Sequence, residues 1–188
     1  MTWERRWASM PGSAVLYRDA MIHVCSLARL HTTVQFTGAR HLVTLLKDVD
    51  LVQRPDAIAP DQHLILGMDD VTEPLDGYTA PADEHITKLV SFVRGWDRAN
   101  PMVIHCYAGI SRSTAGAFIA ACVLNPQPSE HEIAQELRRA SVTATPNMRI
   151  VSLADRILGR GGRMSAAIAK IGRGEEAIEG HPFQLTLE

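Results

Sequence analysis

The chain has 188 residues, of which 46% are hydrophobic, enough to bury a sizeable core and short enough that one domain is the default expectation. Its formal net charge of −2 and pI near 6.4 exclude a nucleic-acid binder that relies on a strongly basic surface. The longest apolar stretch, residues 115–124, is too short to span a bilayer, and residues 1–18 lack the apolar stretch and small-residue cleavage site of a secretory signal.

Cys25, Cys106 and Cys122 cannot all pair with one another, and their spacing is neither a disulfide framework nor a zinc knuckle. They suit a reducing compartment, so a cytoplasmic protein without nucleic-acid or membrane partners is expected. The eight histidines show no paired metal-ligand spacing on one helix, and neither a metal nor another cofactor is predicted.

In chain order, residues 20–26, 41–46, 63–66 and 102–105 are short apolar runs of the length and character of strands buried in a sheet. Helical spacing lies between them. Residues 27–36 place Leu27, Leu30 and Val34 together, and residues 83–96 place Ile86, Leu89, Val90 and Val93 on one face, with Pro81 where that helix would begin. Residues 113–124 are apolar nearly all round, as in a central buried helix, and Asn125-Pro126-Gln127-Pro128 ends it. Ser129 and Glu132 form a capping-box signature, and further helices are predicted over 147–158, stopped by Gly159, Gly161 and Gly162, and over 164–171. From Gly172 the sequence turns polar and acidic except for Phe183, Leu185 and Leu187, whose alternation fits an edge strand or a docking tail.

Strands alternating with helices predict an α/β fold with a central, mostly parallel sheet of four to five strands flanked by helices in three layers. A single domain over 1–188 is expected, with a core over about 20–172, an extension at 1–19 and a polar tail at 173–188. Arg138, Arg139, Arg149, Arg156, Arg160 and Arg163 make the late helices basic, as a solvated face or a dock for an acidic phosphosubstrate.

The run from Pro101 to Thr114, Pro-Met-Val-Ile-His-Cys-Tyr-Ala-Gly-Ile-Ser-Arg-Ser-Thr, leads a buried strand through a tight loop into the buried helix. Backbone N–H groups of Cys106, Tyr107, Ala108, Gly109, Ile110, Ser111 and Arg112 can curl around a phosphate at the helix N-terminus. The same field favours a thiolate at Cys106 near neutral pH, and a thiolate is a strong nucleophile. Arg112 closes the loop with a planar fork for two phosphate oxygens. Gly109 permits a backbone conformation that a side chain would block, and Ser113 is placed to hydrogen-bond the sulfur and help it leave. His105 is expected to order the loop by hydrogen bonds. Cys122 reads as a buried hydrophobe. Cys25 ends the first predicted strand, and parallel strands point their C-terminal ends toward such a site. That placement raises a reversible Cys25–Cys106 disulfide as protection against overoxidation.

His105-Cys106-x5-Arg112-Ser113 resembles the signature of the protein tyrosine phosphatase superfamily, and the string His-Cys-Tyr-Ala-Gly-Ile-Ser-Arg-Ser is most similar to its dual-specificity branch and small prokaryotic relatives. The likeness runs roughly from Ile22 to Gly162 and includes Pro146-Asn147, which matches a downstream Pro-Asn of that branch; Asn147 is therefore expected to support the site. The resemblance implies no metal and a two-step hydrolysis through a phosphocysteine. It also implies an upstream aspartate as general acid. His63-Leu-Ile-Leu-Gly-Met-Asp-Asp70 resembles the strand and loop that carry it, with Asp70 the expected acid and Asp69 the reserve; Asp76, before Gly77, reads as a turn residue.

The expected partners are a phosphorylated protein or peptide and a phosphate or other oxyanion in the loop. Tyr107, Ala108, Ile110 and Ser111 bring no lysine to the loop, which favours phosphotyrosine, with or without phosphoserine and phosphothreonine, over polyphosphorylated inositol lipids. The competing readings are a rhodanese-like sulfurtransferase, which needs neither the acid nor Ser113, and a non-catalytic phosphate-binding pseudophosphatase.

Overall fold

Four apolar runs become parallel strands in the computed structural model, which describes residues 21–125 and 129–186. The expected extension at 1–19, the helix-ending residues 126–128 and Leu187 lie outside the described residues. The strands are β1 (Met21–Ser26), β2 (His41–Leu45), β3 (His63–Leu66) and β4 (Met102–Cys106), and β5 (Phe183–Thr186) runs antiparallel along β1. Their order is β3-β2-β4-β1-β5. Every residue of β2 and β4 is buried, as central strands require, whereas β3 is an edge strand whose Ile65 faces outward. The sequence reading of β3 as a buried strand is corrected by that position.

Six helices flank the sheet among the described residues. The predicted helix at 27–36 divides into a tight turn, Leu27–Arg29, and α1 (Leu30–Thr37), because Ser26 caps the turn by accepting from the Arg29 amide. Leu30 and Val34 of α1 pack with Cys25, Leu42, Ile58 and Val103 on one face of the sheet. The larger core lies on the other face, under α2 (Asp83–Gly95), α3 (Arg112–Leu124), α4 (Glu130–Ala140), α5 (Met148–Ile157) and α6 (Arg163–Ile171).

In α2 the buried residues are His85, Ile86, Leu89, Val90 and Val93, one face at helical spacing, with Asp83 and Glu84 in the first turn where the dipole favours them. Pro81 stands just ahead of the N-cap Ala82 rather than in the first turn. All of α3 but Val123 is buried, which is why it carries no polar stripe. Ser129 and Glu132 satisfy one another's backbone amides at the start of α4, as their spacing predicted.

Two segments that the sequence left with alternatives make specific contacts in the tertiary structure. The late arginines are mostly engaged within the fold: Arg138 donates to the carbonyls of Val142 and Gly172, Arg149 to Pro81, and Arg160 and Arg163 both reach the buried Glu130. Arg156 meets Asp83 and Arg139 meets Glu136 in ion pairs that stay exposed, which fits the solvated face. In the polar segment that follows Gly172, the edge strand that Phe183 and Leu185 suggested is present as β5, and the residues before it are also tied to the fold. Glu175 donates its amide to Val142, Gly174 lies so close to Thr143 that a Cβ would sit 2.5 Å from its carbonyl carbon, and β5 buries Phe183 and Leu185. Leu185→Ala is therefore expected to cost about 2–5 kcal/mol of stability through the cavity it leaves. Urea unfolding checks this, and an unchanged midpoint would show that β5 adds nothing to the core.

Candidate active site

Cys106 is the last residue of the central strand β4, and Arg112 is the first of the buried helix α3, so the five intervening residues must reverse direction within one loop. The scaffold donates to the loop carbonyls from outside. Leu27 donates its amide to the carbonyl of Tyr107 at 3.1 Å, Gly180 to Ala108 at 2.8 Å, and Thr145 to Ile110 at 2.9 Å. Ser111 receives the Ala115 amide at 3.0 Å, and the Thr114 hydroxyl donates to the carbonyls of Ile110 and Ser111. A planar trans peptide points its C=O and the following N–H in opposite directions. Four amides, those of Ala108, Gly109, Ser111 and Arg112, are thereby turned away from the scaffold and into the loop, the arrangement that binds an oxyanion.

Gly109 has φ +74°, and a Cβ there would lie 2.8 Å from the Ser26 amide nitrogen and 2.9 Å from the Cys25 carbonyl carbon. Glycine is required on both grounds. Beneath the loop, the Cys106 sulfur and the Ser113 hydroxyl are 3.1 Å apart. Arg112 is buried, and its guanidinium is aimed by one hydrogen bond from Nη1 to the Met68 carbonyl at 2.8 Å. Its Nε has no hydrogen-bond partner among the described residues and lies 3.8 Å from Asp70 Oδ2. An oriented, partly unsatisfied guanidinium beside inward amides is an anion site.

The two neighbouring aspartates diverge because adjacent residues point in different directions. Asp70 Oδ1 accepts from Ser111 Oγ and from Asn147 Nδ2, each at 2.7 Å, which fixes the carboxyl over the loop. Asn147 is also the N-cap of α5, accepting the Arg149 and Ile150 amides with its other side-chain atom. Asp69 instead accepts the Thr79 amide at 2.7 Å and pairs with Lys47 at 3.1 Å. Although burial opposes its charge, the Thr79 amide and the Lys47 ammonium hold the Asp69 carboxyl below the usual carboxylate range. Asp76 sits in the turn closed by the Tyr78 amide on the Leu75 carbonyl, with Gly77 at φ +81°.

His105 is fully buried, and burial lowers its pKa to about 4, which leaves the ring neutral. Its Nε2 lies 2.7 Å from Thr44 Oγ1, which lies 2.8 Å from His63 Nε2. One hydroxyl has one proton, so Thr44 donates to one ring and accepts from the other, a chain that holds the His105 ring in place. Sequence reasoning missed Thr44, for which the signal was a single hydroxyl in an otherwise apolar central strand. It also missed Glu179 and Gly180, which carry no motif.

Cys25 and Cys106 do not face one another. Ser26, not Cys25, is the register partner of Cys106, and the two-residue period sends the Cys25 side chain into the core under α1 while Cys106 joins the larger core. Burial pushes the Cys25 thiol up to about 12, so the disulfide suggested by the sequence has neither the facing sulfurs nor the thiolate it needs. Cys122 is buried as expected, its thiol also raised to about 12 by burial. A cavity of about 710 Å³ opens beside Asp70, Ser111 and Asn147, and its far wall is Arg173 to Ile178.

A loop of inward amides thus lies between a buried cysteine and a buried arginine, at the carboxyl end of the parallel strands. Residues 75–145, a stretch that contains the whole loop, match the family model described as protein-tyrosine phosphatase. The fold is shared with Cydia pomonella PTP-2 phosphatase at 20% identity and a TM-score of 0.57, over 74% of this chain and 89% of that one. A mouse dual specificity phosphatase solved with zinc tungstate aligns at 15% identity and a TM-score of 0.58, over 85% and 98%. PTPMT1 solved with PI(5)P aligns at 14% identity and a TM-score of 0.56, over 77% and 96%. No curated protein sequence matches the chain. The matched segment, less than half of the chain, is similar to the protein-tyrosine phosphatase model, and the fold is one that the chain shares with solved tyrosine and dual specificity phosphatases.

Neutral burial of histidine has a consequence for stability. His23 and His105 both titrate near 4 in the fold against 6.5 for the ordinary side chain, in each case through burial. Between those values the unfolded chain binds more protons, so stability present above pH 6.5 is lost as pH falls toward 4, on the order of 3 kcal/mol for each ring. Urea unfolding at pH 7.5 and 4.5 should show the lower midpoint at 4.5; equal midpoints would contradict neutral burial.

Proposed function

We propose that this chain is a phosphatase that hydrolyses phosphotyrosine on proteins, with or without phosphoserine and phosphothreonine, through a phosphocysteine at Cys106. The observation that carries the reading is the convergence of four groups, the Cys106 sulfur, the Ser113 hydroxyl, the Arg112 guanidinium and the Asp70 carboxyl, on one amide-lined loop.

In the first step the Cys106 thiolate attacks phosphorus, the S–P bond forms and the P–O bond of the ester breaks. Arg112 and the inward amides hold the three equatorial oxygens, with contacts that strengthen as the transition state forms. Asp70 Oδ2, which faces the arginine while Ser111 and Asn147 hold Oδ1, delivers its proton to the leaving oxygen. In the second step water attacks phosphorus and gives its proton to the Asp70 carboxylate. The S–P bond breaks, inorganic phosphate is released, and the Ser113 hydroxyl donates to the departing thiolate. The cavity bounded by Asp70, Met148 and Ile178 receives the substrate around its phosphorylated residue. Asp69, already ionised against Lys47, is not the acid in this scheme.

Two comparisons test the reading. Cys106→Ser should abolish phosphate release from both p-nitrophenyl phosphate and a phosphotyrosine peptide, and persisting activity would reject the nucleophile. Asp70→Asn should lower kcat on the phosphotyrosine peptide by about 10²–10⁴-fold with KM little changed. Wild-type turnover in that variant would reject the acid. Running phosphoserine peptides, PI(5)P and thiosulfate beside them separates a dual-specificity enzyme, a lipid phosphatase and a sulfurtransferase; phosphotyrosine peptide as the poorest substrate would overturn the substrate class.

A further inference from the structure

The C-terminal segment reaches behind the phosphate loop and touches it at one point. The Gly180 amide donates to the Ala108 carbonyl at 2.8 Å. That bond fixes the peptide plane whose other end is the Gly109 N–H, one of the four amides turned into the loop. Gly180 is buried, and a Cβ on it would stand 2.9 Å from the Gly109 carbonyl oxygen and 3.3 Å from Ile110 Cγ1. Gly109 is already pressed on its other side against the backbone of Cys25 and Ser26. The loop is thus held between the end of β1 and residue 180, with a glycine required on each side of the contact.

The neighbouring side chain anchors this contact. Ser26 Oγ donates to Glu179 Oε1, and Arg29 Nε lies 3.7 Å from the same oxygen. Ser26 is the register partner of Cys106, so Glu179 ties the segment to the strand position beside the nucleophile. Upstream, the Gly174 amide donates to the Thr145 hydroxyl, and Thr145 donates its own amide to the Ile110 carbonyl. The segment therefore bears on the loop directly at Ala108 and indirectly at Ile110.

We propose that Gly180 and Glu179 are positioning residues for the phosphate loop, so that the segment before β5 completes the oxyanion cradle from behind. The proposal rests on the phosphatase reading above. Without the Gly180 donor the Ala108–Gly109 peptide is free to rotate, which withdraws one amide from the anion and can present a carbonyl in its place. Loss of one oriented donor corresponds to about a tenfold loss of oxyanion affinity, and a comparable loss in kcat/KM.

The test uses the full chain and its Gly180→Ala, Glu179→Ala, Glu179→Gln and Leu185→Ala variants. Tungstate affinity is measured by calorimetry, kcat/KM with p-nitrophenyl phosphate, and Tm alongside. Gly180→Ala should weaken tungstate and lower kcat/KM about tenfold or more while the protein remains folded at the assay temperature. Glu179→Ala should weaken tungstate by a smaller factor, and Glu179→Gln, which keeps an oxygen acceptor for Ser26, should restore it. Leu185→Ala loosens β5 without touching the loop and should lower Tm while the folded protein keeps its tungstate affinity. Unchanged affinity in a folded Gly180→Ala, or an equal loss in Leu185→Ala, would overturn the proposal. Should Gly180→Ala fail to fold, unchanged affinity in Glu179→Ala overturns it. A wild-type protein that binds no tungstate would instead overturn the phosphatase reading, and the positioning role with it.

Discussion

The structure of this site depends on where the carbonyls of residues 107 to 111 go. Left to itself, a loop of this kind would turn carbonyl oxygens and amides in all directions, and oxygens near a phosphate would repel it. Here amides from three separate segments, at Leu27, at Thr145 and at Gly180, draw carbonyls outward. The first turn of α3 satisfies that of Ser111 and adds a second donor to that of Ile110. The resulting inward N–H groups need no charge of their own, and they cost no reorganisation when an anion arrives.

Side chains are then placed by elements whose own formation is locally determined. β4 ends at Cys106 because the apolar run ends there, and α3 begins at Arg112 with its side chain tethered to the Met68 carbonyl across the sheet end. Asn147 shows the economy of the arrangement. One side-chain atom caps α5 and the other fixes Asp70, so the start of a helix and the orientation of a carboxyl are one contact network. The separation of Asp69 and Asp70 follows from the same geometry: one carboxyl is tied to a lysine and a backbone amide, the other is held over the loop by a serine and an asparagine.

Periodicity accounts for both successes and failures of the sequence reading. The helices came out where the 3.6-residue spacing put them, within one or two residues in most cases, since apolar spacing and caps at Ser129 and Asn147 are local signals. Residues 27–36 did not, because the Ser26 cap forms a tight turn before α1 begins. Burial of β3 was misjudged because an apolar run carries no record of whether it lies at the edge of a sheet. The Cys25–Cys106 disulfide failed for a related reason: proximity of two strand ends does not say which face each side chain occupies, and the register with Ser26 opposite Cys106 turns Cys25 away.

Sequence alone determined the extent of the loop from Cys106 to Arg112, the need for glycine at 109, the two candidate aspartates and the α/β layering, because each rests on residues close together in the chain or on a repeating pattern. Tertiary structure decided which aspartate faces Arg112, what Asn147 and Thr44 hold, that the edge strand pairs with β1, and that Gly180 donates to the Ala108 carbonyl. Those outcomes are contacts across tens of residues, fixed by strand order and by which backbone donors reach which carbonyls, and no local pattern of residues encodes them.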